Sequence, residues 1–424
     1  MRSTRIWARL LGVEKTVIEQ VEAEETGTGG EGGEEILIVV CARPARGRRL
    51  RCGVCGRRCA RYDKGEGRRR WRALDLGTLR AVIEADAPRV SCPEHGVTVA
   101  QVPWARHGAG HTYAFDATAA WLATCCSKTT VVQLLRIGWR TVGNICARVW
   151  VDVEAGVDLF AGLRRIGIDE ISYKKRHKYL TIVVDHDSGR LVWAAAGRDK
   201  DTVHAFFDAL GDARAAEITH VSADGAEWID AVVAARCPDA VRCMDPFHVV
   251  KWATDALDTV RRDVWNAERG GKGRTTTGSK SLKRARFALW KNPEDLTAGQ
   301  QAQLAFIARA HPLLHRAYLL KEGLRMALKQ GCETAAMLWD WVLWARRCRI
   351  PAFVDLQRAI VRHWDAIIAA AEYGLSNGLI ESTNTKIRLI TRVAFGFKSP
   401  DALIALAMLS LGGHRPQLPG RQTA

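Results

Sequence analysis

Four residues near the N-terminus have the types and spacing to hold a metal ion. Cys52-x-x-Cys55 and Cys92-x-x-His95 each place two ligands a tight turn apart, so both side chains of a pair can reach one ion. Four nitrogen and sulfur ligands suit tetrahedral structural zinc. Gly53 and Gly56 favour the first turn, Pro93 stiffens the second, and Cys59 is an alternative ligand. A second chemistry belongs to acids. Asp169 follows the apolar run Ile166-Gly167-Ile168, and Asp224 follows Val221-Ser222-Ala223. Both therefore sit on buried strands, where a carboxylate is costly unless its charge is compensated. A divalent cation compensates it, and hard carboxylate oxygens with several waters suit Mg²⁺. Two such ions about 4 Å apart activate an attacking hydroxyl and stabilise the leaving oxygen of a phosphodiester. That arrangement needs a third carboxylate. Glu381 is the candidate, with Asn384, Thr385, Arg388 and Arg392 on the same face of its helix. Among the competitors, Glu170 is expected on the opposite face of Asp169's strand and Asp187 in a turn, while Asp185 and Asp245 stay open. His248 is either a structural histidine or a helper near the scissile phosphate.

The elements that must position these groups can be read from periodicity. TVIEQVEAE and EEILIVVCA are strands around the Gly-rich loop TGTGGEGG, and a strand pair over 73–90 fills the interval between the two metal-ligand pairs. The pattern over 113–155 is helical and broken at Ile137-Gly138-Trp139. It predicts a helix pair packed through Val132, Leu135, Ile137, Val142, Ile145 and Val149, with Arg140, Thr141 and Asn144 outward at the start of the second helix. Short polar and Arg side chains there suit contact with base edges. From 164 onward the order is strand, hairpin turning at Asp187-Ser188-Gly189, helix, strand, helix, strand, which is mixed α/β. Residues 250–370 are mainly helical, interrupted by the polar loop ERGGKGRTTTGSKS, with Trp339, Trp341, Trp344 and Trp364 as packing residues. A last helix starts near Ser376, and the tail after Gly412 is expected to be disordered.

Composition narrows the partner. Lys and Arg number 63 against 46 Asp and Glu, a net charge of +17 that fits a polyanion. Arg57, Arg58, Arg69 and Arg70 surround the metal-ligand cluster and are candidate contacts to a DNA backbone. A zinc hydrolase of small substrates leaves this balance unexplained. No run long enough to span a membrane lacks charges, and the N-terminus carries no secretory pattern. The 12 cysteines are accordingly expected to be reduced thiols or metal ligands, in the cytoplasm.

The strings GIDE, HKYLTIVVDHDSGR, SADGA, MDPFHVVK with ALDTVRRD, and SNGLIESTNTKIRLITRVAFGFKSP carry a resemblance. Over nearly its whole length the chain resembles the ISL-three family of bacterial insertion-sequence transposases. His95 stands where a cysteine is expected, and zinc accepts either. The resemblance implies a DDE transposase with an RNase H-like core. Asp169, Asp224 and Glu381 would fall on its three acids, and Cys52, Cys55, Cys92 and His95 on its zinc region. It implies Mg²⁺ for strand cleavage and transfer, and binding to the inverted repeats of the element's ends. A dimer or larger assembly on DNA, nucleoid-associated when bound, is what bridging two ends requires. The expected architecture is a zinc-binding DNA-binding domain over 1–108, a helix-turn-helix over 109–158, and the first part of the core over 159–252. A mainly helical insertion over 253–370, the catalytic C-terminal helix region over 371–412 and the tail 413–424 complete it. Two alternatives share these features: an inactive, transposase-derived DNA-binding regulator, and a structure-specific nuclease.

Overall fold

The computed structural model describes residues 3–26, 35–174, 178–268, 282, 285–375 and 378–421. All but the ends of the Gly-rich loop 26–33 and of the polar loop 268–281, and Ser376 at the expected helix start, lie outside the described residues. Two compact units form, Met1–Leu159 with Leu389–Ala424, and Phe160–Arg388.

The first unit begins with helix α1 (Ser3–Leu10) and the hairpin of β1 (Thr16–Thr26) with β2 (Glu35–Pro44). After β3 (Ala60–Asp63), strands β4 (Arg68–Leu76) and β5 (Leu79–Asp86) form a second hairpin. β5 runs parallel to β2, giving the sheet order β1-β2-β5-β4. Its core faces contribute Val40, Ile83, Ala81 and Trp71, and Trp104 packs edge-on to Trp71 at 5.5 Å. A separate small sheet, β3-β6-β7, adds β6 (Arg89–Cys92) and β7 (Gly96–Val99) and carries the second metal-ligand pair.

Three helices follow. Thr112 caps α2 (Tyr113–Cys125) and Ser127 caps α3 (Lys128–Leu135), each through its side-chain oxygen. Arg136, left-handed at φ 53°, ends α3, and Gly138 opens α4 (Trp139–Gly156). Leu135, Val142, Ile145 and Val149 are buried as expected, while Arg140 and Asn144 are exposed. Buried Asp116 on α2 accepts from Arg148 of α4 at 3.2 Å and Arg106 at 3.0 Å, so its charge is matched inside the packing. The C-terminal helix Pro400–Leu411 is apolar nearly all round and packs on α4, with Ala402 against Gly143. Beyond it residues 413–421 carry no helix or strand, and Arg415 donates to Thr124 Oγ1 of α2 at 2.7 Å.

The second unit is built on a five-stranded sheet. Its strands are β8 (Arg165–Lys174), β9 (Lys178–Asp185), β10 (Leu191–Ala196), β11 (His220–Ala223) and β12 (Val241–Met244), in the order β10-β9-β8-β11-β12. The first three are antiparallel, and β8, β11 and β12 are parallel. Parallel neighbours need crossovers, supplied by α5 (Lys200–Leu210), the short α6 (Asp212–Ala215), and α7 (Glu227–Arg236). This mixed sheet with helical crossovers is the arrangement expected of an RNase H-like core. Val203, Phe206, Ile229 and Val233 of the crossover helices pack against Ile166, Ile168 and Val221. α8 (Pro246–Glu268) then leads into a helical bundle extending to Glu372. Trp341 is buried there and donates to the Leu320 carbonyl at 2.7 Å. Trp339 and Trp344 lie outside the core-facing stripe of Leu338, Trp341, Val342 and Ala345 and are partly exposed, yet both pack between helices, Trp339 edge-on to Trp364 at 5.7 Å and Trp344 against Gly323.

Candidate functional site

Parallel register brings two acids side by side. The last paired step between β8 and β11 is Gly167 with Ser222, and Asp169 and Asp224 each lie two residues beyond it. β12 ends on Met244, so Asp245 stands at the carboxyl end of the third parallel strand. Crevices beyond such strand ends are where ligands settle in α/β sheets. Here a cleft of about 410 Å³ is lined by Asp169, Glu170, Asp224 and Glu381 with His248, Lys251, Arg198 and Arg388.

Glu381 arrives on the helix Gly378–Val393, which is seated directly on β8. A side chain at Gly167 would put its Cβ 2.3 Å from Ile380 Cδ1, so the glycine lets Ile380 rest on the strand as it does. One turn further on, Asn384 donates from Nδ2 to Asp169 Oδ2 at 2.7 Å, linking helix and strand beside the acid pair. Thr385 and Arg388 also line the cleft, whereas Arg392 does not and belongs to the first unit.

Three of the carboxyls in the cleft are held above their ordinary range. Burial pushes the Asp169 carboxyl above its ordinary range, although the Glu170 amide donates to it at 2.7 Å. Burial and the Asp224 charge push Glu170 up to about 7, against the pull of Arg198 at 3.0 Å. Glu381 is raised by burial and then by Asp245. Asp224 Oδ1 and Glu170 Oε1 are buried acceptors without a donor. Hard oxygens left in this state are the donor set that a divalent cation satisfies, so the residues fit such an ion.

Glu170 in the cleft corrects the expectation from strand alternation. Beyond Gly167, β8 no longer has β11 beside it, so the free edge borders the cleft and a long side chain reaches it from either face. The signal available in the sequence was the adjacent Asp-Glu pair closing the apolar run 166–168. Asp185 and Asp187 sit at the β9–β10 turn. Asp185 accepts from the Asp187 amide at 3.0 Å and from Ser188, and Asp187 pairs with Arg165. Asp245 accepts from the Phe247 amide at the start of α8 and holds His248 Nδ1 at 3.1 Å. That contact raises the His248 pKa.

In the first unit Cys52, Cys55, Cys92 and His95 converge, with all four ligand atoms within 4.8 Å of one another. The Cys55–Cys92 sulfurs lie 3.8 Å apart, and His95 Nδ1 is 3.7 Å from Cys92 Sγ and 3.9 Å from Cys52 Sγ. A tetrahedral zinc with bonds of about 2.3 Å to sulfur requires edges of about this length. Cys59 is not in the group, and its thiol donates to the Arg57 carbonyl at 3.3 Å. Around the cluster Arg57 and Arg58 are exposed. Arg57 makes a long ion pair with Glu94 at 3.8 Å, and two other arginines are engaged more closely. Arg70 sits opposite Glu84 in the β4–β5 register and pairs with both Glu84 and Glu24, at 2.6 and 2.7 Å. Arg69 donates to the Ala109 carbonyl at 2.8 Å and lies over the Trp71 ring. These two brace the sheet instead of presenting a free guanidinium.

Comparison with known proteins agrees with this order of parts. A family model described as a transposase matches residues 166–407. A model of the helix-turn-helix domain of transposase family ISL3 matches residues 100–150. A zinc-finger model of the IS204/IS1001/IS1096/IS1165 transposases matches residues 48–95. A transposase for insertion sequence element IS1557, found in two strains of Mycobacterium tuberculosis, is 59% identical over 440 residues, 99% of this chain and 98% of that protein. A transposase for insertion sequence element IS1001 of Bordetella parapertussis is 26% identical over 355 residues, covering 82% of this chain and 86% of that protein.

Proposed function

We propose that this chain, which belongs to the ISL3 family of transposases, binds the terminal inverted repeats of an insertion sequence and cuts and joins DNA there, with Asp169, Asp224 and Glu381 as the metal-holding carboxylates. The observation that carries the assignment is the cleft where β11 ends beside β8, in which buried carboxylate oxygens stand without donors. Two Mg²⁺ ions, when bound, supply an activated attacking hydroxyl and charge neutralisation at the scissile phosphate. Asn384 fixes the Asp169 carboxylate through its amide. Asp245 orients His248 and raises its affinity for a proton, and His248 and Lys251 meet phosphate oxygens as donors. Glu170, tied to Arg198, is a fourth acid of the site.

Reading of DNA is assigned to the first unit. Zinc held by Cys52, Cys55, Cys92 and His95 fixes two turns that carry Arg57 and Arg58 toward phosphate. Arg140, Thr141 and Asn144 at the start of α4 face base edges, and Arg388 and Arg392 add phosphate contacts from the Glu381 helix. Action on two ends calls for a dimer or larger assembly, working in the bacterial cytoplasm on the nucleoid. No described helix is long and apolar enough to cross a membrane.

The test is a cleavage and strand-transfer assay on labelled DNA carrying the element's own ends, with Mg²⁺ and with EDTA. Asp169→Ala, Asp224→Ala and Glu381→Ala should each lower product by about a hundredfold or more while end binding persists. Undiminished cleavage in any one of the three would remove that residue from the site. End binding without metal-dependent product from the wild type would leave a DNA-binding regulator.

A further inference from the structure

The Glu381 helix ends in a way that helices rarely do. The Gly396 amide donates to the Thr391 carbonyl at 2.8 Å, and the Phe395 amide to the Arg392 carbonyl at 3.0 Å. These are the two bonds of a Schellman cap, whose left-handed position normally holds glycine. Phenylalanine occupies it instead, at φ 48°, a conformation unfavourable for a bulky residue. The ring gains little burial in return. Phe395 is 82% exposed, more than any other exposed large hydrophobic side chain among the described residues. Both strain and exposure work against folding, and the glycine that would relieve them stands one position later, at Gly396.

The surroundings indicate what the ring meets. Within the first unit Phe395 lies 6.1 Å, centroid to centroid, from Trp139, the first residue of α4. Trp139 is itself 36% exposed, and the Lys128 ammonium lies over its ring at 5.1 Å. Segments 127–151 and 389–400 contain six Lys or Arg and no Asp or Glu. Of these cations Arg140, Arg392 and Lys398 are exposed, with no ion-pair partner among the described residues. Apolar rings ringed by free cations, beside the end of a helix suited to base edges, match the chemistry of a nucleic acid better than that of a protein surface.

We propose that Phe395, flanked by Trp139, is an apolar wedge that enters a DNA base step next to the N-terminal end of α4. The inference rests on the DNA-end reading above and adds a contact from the C-terminal segment to it. Wedges of this kind partly unstack a step, and the bend they create lets more protein surface reach the duplex.

The test uses the full-length, zinc-loaded protein and a labelled duplex taken from the terminal repeat flanking its gene. A fluorescent base analogue is placed at successive steps, and a scrambled duplex serves as control. Phe395→Gly should raise the melting temperature, because glycine suits the left-handed cap, and yet weaken end binding by about tenfold. The same variant should abolish the analogue's unstacking signal, and Phe395→Trp should restore both binding and signal. A merely structural ring would show the opposite pairing, lower stability with unchanged affinity. Phe395→Gly that is more stable and binds the end like wild type would overturn the wedge. So would a loss of self-association with intact DNA affinity, which would make the ring a contact between copies. Wild type that does not distinguish the two duplexes would overturn the end-binding reading, and the wedge with it.

Discussion

At the scale of single residues the site depends on one missing side chain as much as on its acids. Gly167 lets Ile380 rest on β8, and the Glu381–Asn384 turn inherits its position from that contact. Gly167→Ala would set a Cβ 2.3 Å from Ile380 Cδ1 and 2.8 Å from His186 Nε2, so these side chains must shift or the helix must lift. The expected cost is about 1–3 kcal/mol, typical of an overpacked contact, read by urea denaturation. Strand cleavage should fall further than stability alone accounts for, because Glu381 moves away from Asp169. Ile380→Val in the same chain should recover part of the cleavage, and no recovery would mean that the contact does not set the register. That Asp169 and Asp224 share a cleft was legible because an acid closing an apolar run is a costly arrangement that invites a chemical reason, and Glu381 followed from the need for a third carboxylate. Glu170 was not, since strand alternation gives the face a side chain leaves from but not that β11 stops short, which opens the β8 edge to the cleft from both faces. The sequence likewise placed Arg70 beside DNA. Its capture by Glu24 and Glu84 depends on a strand register that only the folded sheet discloses.

At the scale of elements, hydrophobic patterns disclosed β8, the β9–β10 hairpin and the helix pair α3–α4, because each buries one face. They did not disclose how the bundle secures its short pieces. The helix Arg286–Trp290 has five residues, too few to persist alone. Its end is held by Lys321, almost wholly buried on the helix Pro312–Ala327, which donates to the Leu289 carbonyl at 3.1 Å and the Lys291 carbonyl at 3.4 Å. The ammonium meets the negative end of the short helix and pairs with Glu322, which Arg325 shares at 2.7 Å. Burial lowers the Lys321 pKa, opposed by the Glu322 hydrogen bond. Lys321→Ala would leave two carbonyls without their cation and a buried acid with one partner in place of two. A loss of about 3 kcal/mol in urea denaturation follows, with hydrogen exchange rising first in residues 286–290. Lys321→Met, which keeps the apolar stem, should lose less. Unchanged exchange at 286–290 would show that the cap is dispensable.

At the scale of the whole molecule the N-terminal reading unit is not contiguous in sequence, and nothing in the periodicity announced this. ALIALAMLSL is apolar all round, which predicts burial but not the partner. The partner is α4, reached after the chain has run through the entire second unit. The helix-turn-helix therefore completes its core with residues that follow the catalytic helix. Leu403, Leu406, Met408 and Leu409 are buried in this helix, at roughly 1.5–3 kcal/mol each, so their sum exceeds what a short helix pair can forgo. A chain ending at Ser399 keeps every residue assigned to metal binding, catalysis and base reading. It should nevertheless lose specific end binding, with α4 amides exchanging fast, while α5 and α7 exchange as in the full chain. Retained end affinity in that truncation would mean that α2, α3 and α4 suffice as a core. The expected loss ties DNA reading to a segment that follows the Glu381 helix, so an emerging chain cannot bind an end before that helix is made.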